Sequence, residues 1–444
     1  MTAASWSEFE QYILQIMEDE HIVGAAVAVL QGDSIIYQQG FGVRHLETGA
    51  PVTPKTIFGI ASISKSFTAL VITQLADEGK LSVDDPVVKH LPDFRLKGVT
   101  DMETIRISHL LSHTTGLPPM KRQEDLAFFT DHIDYLSSVD CEMLGAPGEY
   151  FSYCNDTFLL LGAIIEGVTG RLYRRVMTER TLEALGMHRS TYSLEEVERF
   201  PNVTTPYIYD RAEEVHKEAS WPGLGTYEVG GGVRSNVLDL MKYGQMYVNR
   251  GAFRGSQLVS LEGLHRMMQP VHRVDRNSHY GFALRTTPDY HGVTLVEHGG
   301  GQPGVSSNFG FIPERQIAVA VLANVSGVPA GDIWLAAANT ALGVPLLEKR
   351  SIEPEYDLAP EQLLRFVGTY ESLEGGKCRV FTDSSDGSVK VEVQDQVFPV
   401  RASDQRSLVL VGKPTRNVIR FYFKDGNERP WAAFYGSRML TKVD

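Results

Sequence analysis

Ser62-Ile63-Ser64-Lys65 is the only S-x-x-K in the chain, and the reading of the fold turns on it. The pattern predicts a helix that starts near Ser62 and carries Phe67, Leu70, Val71, Gln74 and Leu75 towards a C-cap signal at Gly79. Residues i and i+3 share a helix face, so the Lys65 amine can reach the Ser62 hydroxyl. A serine hydroxyl is a weak nucleophile until a base takes its proton, and an amine does so only when partly neutral. Burial, nearby positive charge and the helix N-terminus all lower a lysine pKa. The same terminus offers the Ser62 backbone N–H to a developing oxyanion. The competing reading is a capping serine followed by a solvated lysine.

Two further stretches count against that competing reading. Pro147-Gly148-Glu149-Tyr150-Phe151-Ser152-Tyr153-Cys154-Asn155 places a tyrosine and an asparagine two residues apart on a loop before a helix. Tyr153 can share or relay a proton, and Asn155 can donate its amide to a substrate carbonyl. Tyr-x-Asn recurs as Tyr247-Val248-Asn249, but inside an amphipathic helix ending at Gly251, where packing and capping explain it. His298-Gly299-Gly300-Gly301 follows the strand-like residues 294–297; glycines at a strand edge allow a substrate close to the backbone, and His298 offers a donor or partial positive charge. No G-x-S-x-G nucleophile elbow occurs.

The chain has 444 residues, against a prior of ~150 for one domain, so two or more packed units are expected. With 42 basic and 55 acidic residues the net charge is −13, and no basic patch stands out, which disfavours nucleic acid as a partner. Three cysteines, Cys141, Cys154 and Cys378, suggest neither a disulfide framework nor a zinc knuckle. No run approaches the ~18 apolar residues of a membrane span. Residues 1–20 read as an acidic amphipathic helix, with Phe9, Ile13, Ile16 and Met17 on one stripe, rather than as a signal peptide; a cytoplasmic location is expected. Strand-like runs at 23–30 and 34–42 precede a helical middle, 81–268, and strands return at 294–297, 307–312 and 316–323 before a helix at 332–342. The sheet should therefore be assembled from distant parts of the chain. Residues 351–357 read as a linker between a unit spanning 1–350 and a β-rich unit spanning 358–444. In the latter, six short strands at 379–381, 389–393, 398–401, 408–411, 418–423 and 431–435 predict a small antiparallel barrel or sandwich.

The order and spacing of S-x-x-K, Y-x-N and H-x-G resemble the serine β-lactamase and penicillin-binding-protein-like superfamily. The similar branch holds class C β-lactamases, DD-peptidases, D-aminopeptidases and family VIII esterases. Leu81-Ser82-Val83-Asp84-Asp85-Pro86-Val87, Ile107-Ser108-His109-Leu110-Leu111-Ser112-His113-Thr114-Thr115-Gly116-Leu117-Pro118 and Gly230-Gly231-Gly232-Val233-Arg234-Ser235 add to the match, which covers about residues 10 to 345. The resemblance implies an α/β fold of the β-lactamase/transpeptidase type, an antiparallel sheet flanked by helices with a large helical subdomain, followed by a small β-barrel. It makes Ser62 the acylated nucleophile, Lys65 its base and Tyr153 their acid–base partner. Asn155 orients the substrate amide, His298 stands where many relatives have the lysine of K-T-G, and Gly300 and Gly301 line the site. The Gly301 N–H joins that of Ser62 as an oxyanion donor by position. No cofactor and no metal are implied.

The expected substrate is a small peptide or amide, plausibly with D-residues. Ester hydrolysis, weak β-lactamase activity and a non-catalytic scaffold are the alternatives. A histidine near its ordinary pKa of ~6.5 would bind anions weakly and in a pH-dependent way, which disfavours efficient β-lactam turnover. Val367-Gly368-Thr369-Tyr370 resembles the opening strand of lipocalin-like β-domains appended to some members. Such a domain would restrict the mouth of the active site, or a neighbour's site in a homo-oligomer, or stabilise passively. His109 and His113 have a metal-compatible i,i+4 spacing but no Glu between them, so they read as structural, and Cys154 reads as a small buried hydrophobe.

Overall fold

The computed structural model describes residues 5–123, 125–140, 142–413 and 417–443; Cys141 lies outside the described residues. Helix α1 (Trp6–Asp19) opens on a capping box in which Ser5 and Glu8 satisfy each other's backbone N–H groups. It buries Phe9, Ile13 and Met17, as its stripe predicts, while Ile16 is only partly covered. Strands β1 (Gly24–Gln31) and β2 (Ser34–His45) follow.

Next come helix α2 (Ser64–Asp77), helix α3 (Asn155–Thr169) and, after the helical middle, β3 (Val293–Gln302), β4 (Val305–Ile312), β5 (Ile317–Ala323) and helix α4 (Ala330–Leu342). β1 pairs antiparallel with β5, Val27 opposite Val321, so the two ends of the large unit close one nine-stranded sheet. The burial pattern shows why. In β1, Ala25, Val27 and Val29 face the layer of α1 and α4, whereas Ala26, Ala28 and Leu30 face the layer of α2 and its neighbours. A strand apolar on both faces must lie at the centre of a sheet covered by helices on each side. The same alternation recurs in β5, where Ala318, Ala320 and Leu322 take the α2 side.

Residues Gly368–Glu371 to Arg438–Lys442 form a closed antiparallel barrel of eight strands. Closure leaves no sheet edge exposed, and Tyr370, Val391, Leu408, Ile419 and Phe421 fill the interior. The six strands expected from the sequence are all present; Arg438–Lys442 was not among them. That last strand carries a single strongly apolar pair, Met439-Leu440, between polar residues, so its pattern is short. It is held by pairing with the strands Gly368–Glu371 and Ala432–Tyr435.

Candidate active site

The S-x-x-K serine does not start the α-helix. Ala61–Ile63 form a single 3₁₀ turn, and α2 begins at Ser64. Ala61 has φ +48°, a left-handed conformation costing a non-glycine residue about 1–2 kcal/mol. Strain of this kind is held in place only by its surroundings. The Ile60 N–H donates to the Val233 carbonyl at 3.1 Å, the Ser307 hydroxyl donates to the Ile60 carbonyl at 2.8 Å, and the Val233 N–H donates to Ser64 Oγ at 3.1 Å. Two distant segments, at Val233 and Ser307, thus aim a half-buried Ser62.

Lys65 is buried, with Nζ 3.3 Å from Ser62 Oγ and 3.0 Å from the Gly230 carbonyl. Gly230 is required at that point: a Cβ there would stand 2.6 Å from Nζ. Burial first, then the guanidinium groups of Arg438 and Arg122, lower the Lys65 pKa to about 7; the Glu374 carboxylate opposes them. An amine near 7 is partly neutral at physiological pH, which is the state in which it can accept the serine proton.

Tyr153 lies on the loop into α3, buried against His113 at 4.1 Å between ring centroids. Burial pushes its pKa well above the ordinary tyrosine value, while hydrogen bonding towards Ser62 works the other way. Its hydroxyl makes no regular protein hydrogen bond and is left for Ser62 or a substrate. Tyr153 is therefore a neutral proton donor at ordinary pH, and Lys65 is the better base of the pair. Asn155 is the first residue of α3, and its Nδ2 donates to Glu374 Oε1 at 3.2 Å.

His298 differs from the sequence expectation. Its Nε2 meets the Tyr280 hydroxyl at 2.8 Å and its Nδ1 meets the Gly299 carbonyl at 2.6 Å. A carbonyl only accepts, so Nδ1 carries the proton and Nε2 accepts from Tyr280. Burial, reinforced by Lys65, lowers the His298 pKa to about 4. The ring is neutral throughout the physiological range instead of titrating near 6.5, because it has lost its water.

The strand before β3 pairs with it only up to Glu297, so no ladder hydrogen bond along that edge is present from His298 to Gln302 among the described residues. Gly300 packs flat on the nucleophile turn: a Cβ would meet the Ile60 carbonyl at 2.4 Å and the Ser307 hydroxyl at 2.3 Å. At Gly301 a Cβ would meet nothing within 4 Å, so the backbone there borders open space.

All seven residues singled out from sequence spacing thus belong to one neighbourhood. Sequence reading missed others. His113 and Tyr280 pack with Tyr153, and His113 Nδ1 accepts from the Cys154 N–H, so the two histidines of the i,i+4 pair have separate tasks: His109 Nδ1 accepts from the Arg106 N–H. Glu374 and Arg438 come from the barrel, where nothing in the local pattern separates them from surface charges. Arg438 Cζ lies 4.9 Å from the Tyr153 ring centre, and the Tyr153 N–H donates to the Ser437 carbonyl at 2.9 Å.

Comparison with known proteins agrees with this architecture. Penicillin-binding protein 4 of Amycolatopsis lactamdurans is 29% identical over 379 residues, covering 81% of this chain and 95% of that one. Protein flp of Staphylococcus aureus (strain MW2) is 32% identical over 197 residues, and this match spans 39% of its length. The octameric penicillin-binding protein homologue from Pyrococcus abyssi has a TM-score of 0.73 at 30% identity over 99% of this chain and 100% of that one. A β-lactamase/D-alanine carboxypeptidase from Pseudomonas syringae shares the fold, at TM-score 0.65 and 20% identity over 76% of this chain and 98% of that one. The family profile described as Beta-lactamase matches residues 9–342, and the chain belongs to that family of serine hydrolases.

Proposed function

We propose that the chain hydrolyses small peptides or amides, including those with D-residues, through an acyl-enzyme on Ser62. The observation that carries this reading is a buried Lys65 amine 3.3 Å from Ser62 Oγ with a pKa near 7. Neutral Lys65 takes the Ser62 proton as Oγ attacks the substrate carbonyl. The Ser62 N–H, with the Gly301 N–H at the open strand edge, receives the negative oxygen. The C–N bond then breaks, and the leaving amine takes the proton from the Lys65 ammonium, relayed by the Tyr153 hydroxyl. Neutral Lys65 then takes a proton from water as its oxygen attacks the acyl carbonyl; the Oγ–C bond breaks, the acid leaves, and Ser62 Oγ takes the proton back from the Lys65 ammonium.

Two features support an amide-bearing substrate of modest size. The Asn155 amide stands at the head of α3 and donates to the Glu374 carboxylate at 3.2 Å, a partner that a substrate carbonyl would replace. The barrel covers the neighbouring surface with Phe434 and Met439, packed against Phe151 and Tyr153. A neutral His298 offers no fixed cation for a β-lactam carboxylate. The octameric neighbour, 30% identical over nearly the whole chain, supports a homo-oligomer.

The test uses a D-alanyl anilide, a short-chain nitrophenyl ester and a chromogenic cephalosporin with wild type and Ser62→Ala side by side. Anilide turnover that falls by ~10³-fold or more in the variant supports the reading. Turnover of the ester alone makes the chain an esterase, and equal rates in both proteins overturn the acyl-enzyme.

A further inference from the structure

The barrel contributes a partly buried ion pair to a site whose sequence motifs lie far away in the chain. Arg438 begins the last strand, directly after the turn at Gly436 and Ser437, both of which have positive φ. Its Nε donates to Glu374 Oε2 at 2.7 Å and its Nη1 to the Gly436 carbonyl at 3.3 Å. Glu374 Oε1 in turn accepts from Asn155 Nδ2. The hairpin is fastened on both sides, by the Tyr153 N–H on the Ser437 carbonyl and by the Met439 N–H on Ser152 Oγ at 3.1 Å. Arg438 Cζ and Lys65 Nζ lie 4.9 and 5.1 Å from the centre of the same Tyr153 ring.

We infer that Arg438 is a positioning residue of the serine site: its fixed charge beside Tyr153 keeps Lys65 in the neutral, proton-accepting form, and Glu374 sets the strength of that effect. The inference rests on Ser62 being the acylated group and on nothing about the leaving group. Other charged or titratable groups face Lys65 as well. Arg122 repels the ammonium from the loop after the His113 turn, Glu374 attracts it, and Cys154, whose thiol burial pushes up to about 12, stays uncharged at ordinary pH. His113 and His298 are both held neutral by burial. Arg438 is therefore the foremost cation acting on Lys65, and it is supplied by a different domain. Two unit charges about 10 Å apart at an effective dielectric of about 20 shift a pKa by about one unit.

The charges make opposite predictions. Removing the Arg438 cation lets Lys65 keep its proton to higher pH, so the acid limb of the pH–rate profile moves up. Removing the Glu374 anion moves it down. A purely structural role moves neither, or moves both alike. The experiment follows Ser62-dependent turnover of a nitrophenyl acetate from pH 5 to 9 in the full chain, with Arg438→Gln, Glu374→Gln, Arg438→Lys and the Ser62→Ala control.

The expected result is a limb about one unit higher in Arg438→Gln, lower in Glu374→Gln, and close to wild type in Arg438→Lys, which keeps the charge. At pH 6 the first variant should be about tenfold slower than wild type beyond any change in its plateau. Limbs that stay in place, or that shift in one direction in both neutral variants, overturn the proposal. If Arg438→Gln does not fold, Glu374→Gln decides by the sign of its shift. Loss of the Ser62→Ala control difference is a separate failure, of the acyl-enzyme reading itself.

Discussion

The two walls of the cleft are built by opposite means. One wall is the nucleophile turn, where Ser62 and Lys65 are three residues apart and face each other by helical geometry. The other is the Glu374–Arg438 pair, 64 residues apart in sequence and brought together by closure of a barrel. Both approach Tyr153, which the first wall meets through Lys65 and the second through Arg438. The comparison teaches that residue type and short spacing identify the groups that react, whereas the electrostatic setting of those groups comes from wherever the fold places a charge.

Gly230→Ala separates the two walls most sharply. The added Cβ would fall 2.6 Å from Lys65 Nζ, at the movable end of a long side chain, so the base is displaced while the backbone stays. We expect turnover to fall by about 10²-fold with thermal stability close to wild type. A variant with unchanged rate would remove the Gly230 contact from the catalytic account.

Next in size is the pH dependence of the unmodified chain. Because the Lys65 pKa is lowered to about 7, kcat/KM should fall about tenfold per pH unit below that point as the base gains its proton. His298, lowered to about 4, contributes no second break between pH 5 and 7. A break near 6 that disappears in a His298→Gln variant would show that the buried ring does titrate.

Met439→Ala probes the barrel wall without touching charge. Met439 is fully buried with Phe151, Tyr153 and Tyr280, so its truncation should cost about 2–4 kcal/mol in unfolding free energy. The effect on turnover should be only a few-fold, with the acid limb in place. A limb shift as large as that of Arg438→Gln would mean that packing, not charge, governs Lys65. Denaturant melts and the same pH–rate series give both readings.

Much of the large unit was legible. The i,i+4,i+8 stripe of α1 marks Phe9, Ile13 and Met17, and the apolar runs of β1 and β5 mark strands with both faces covered. Strand pairing between residues near 27 and near 321 had only the positional hint of sheet segments at both ends. In the barrel, Lys377–Thr382, Val389–Val393 and Val418–Tyr422 alternate buried and more exposed positions with period 2, and the other three internal strands are marked by their short apolar runs between turn residues. Arg438–Lys442 did not stand out, because most of its order comes from two neighbouring strands. His298 illustrates a subtler failure. Its identity and place after a strand were clear, but its protonation depends on Tyr280 and on burial, and neither is encoded beside it.

The sequence by itself determined the reactive inventory: a serine and an amine at helical spacing, a tyrosine and an asparagine at the head of a helix, and a histidine before glycines at a strand end. These follow from local geometry, where residues a few positions apart have few ways to meet. Tertiary structure alone decided the charge state of that inventory. A pKa depends on lost water and on ions within about 10 Å, and here the barrel supplies Arg438 and Glu374 beside the large unit's own Arg122. It also decided which wall closes the cleft, because a hairpin's position is set by the strands on either side of it and not by its own residues.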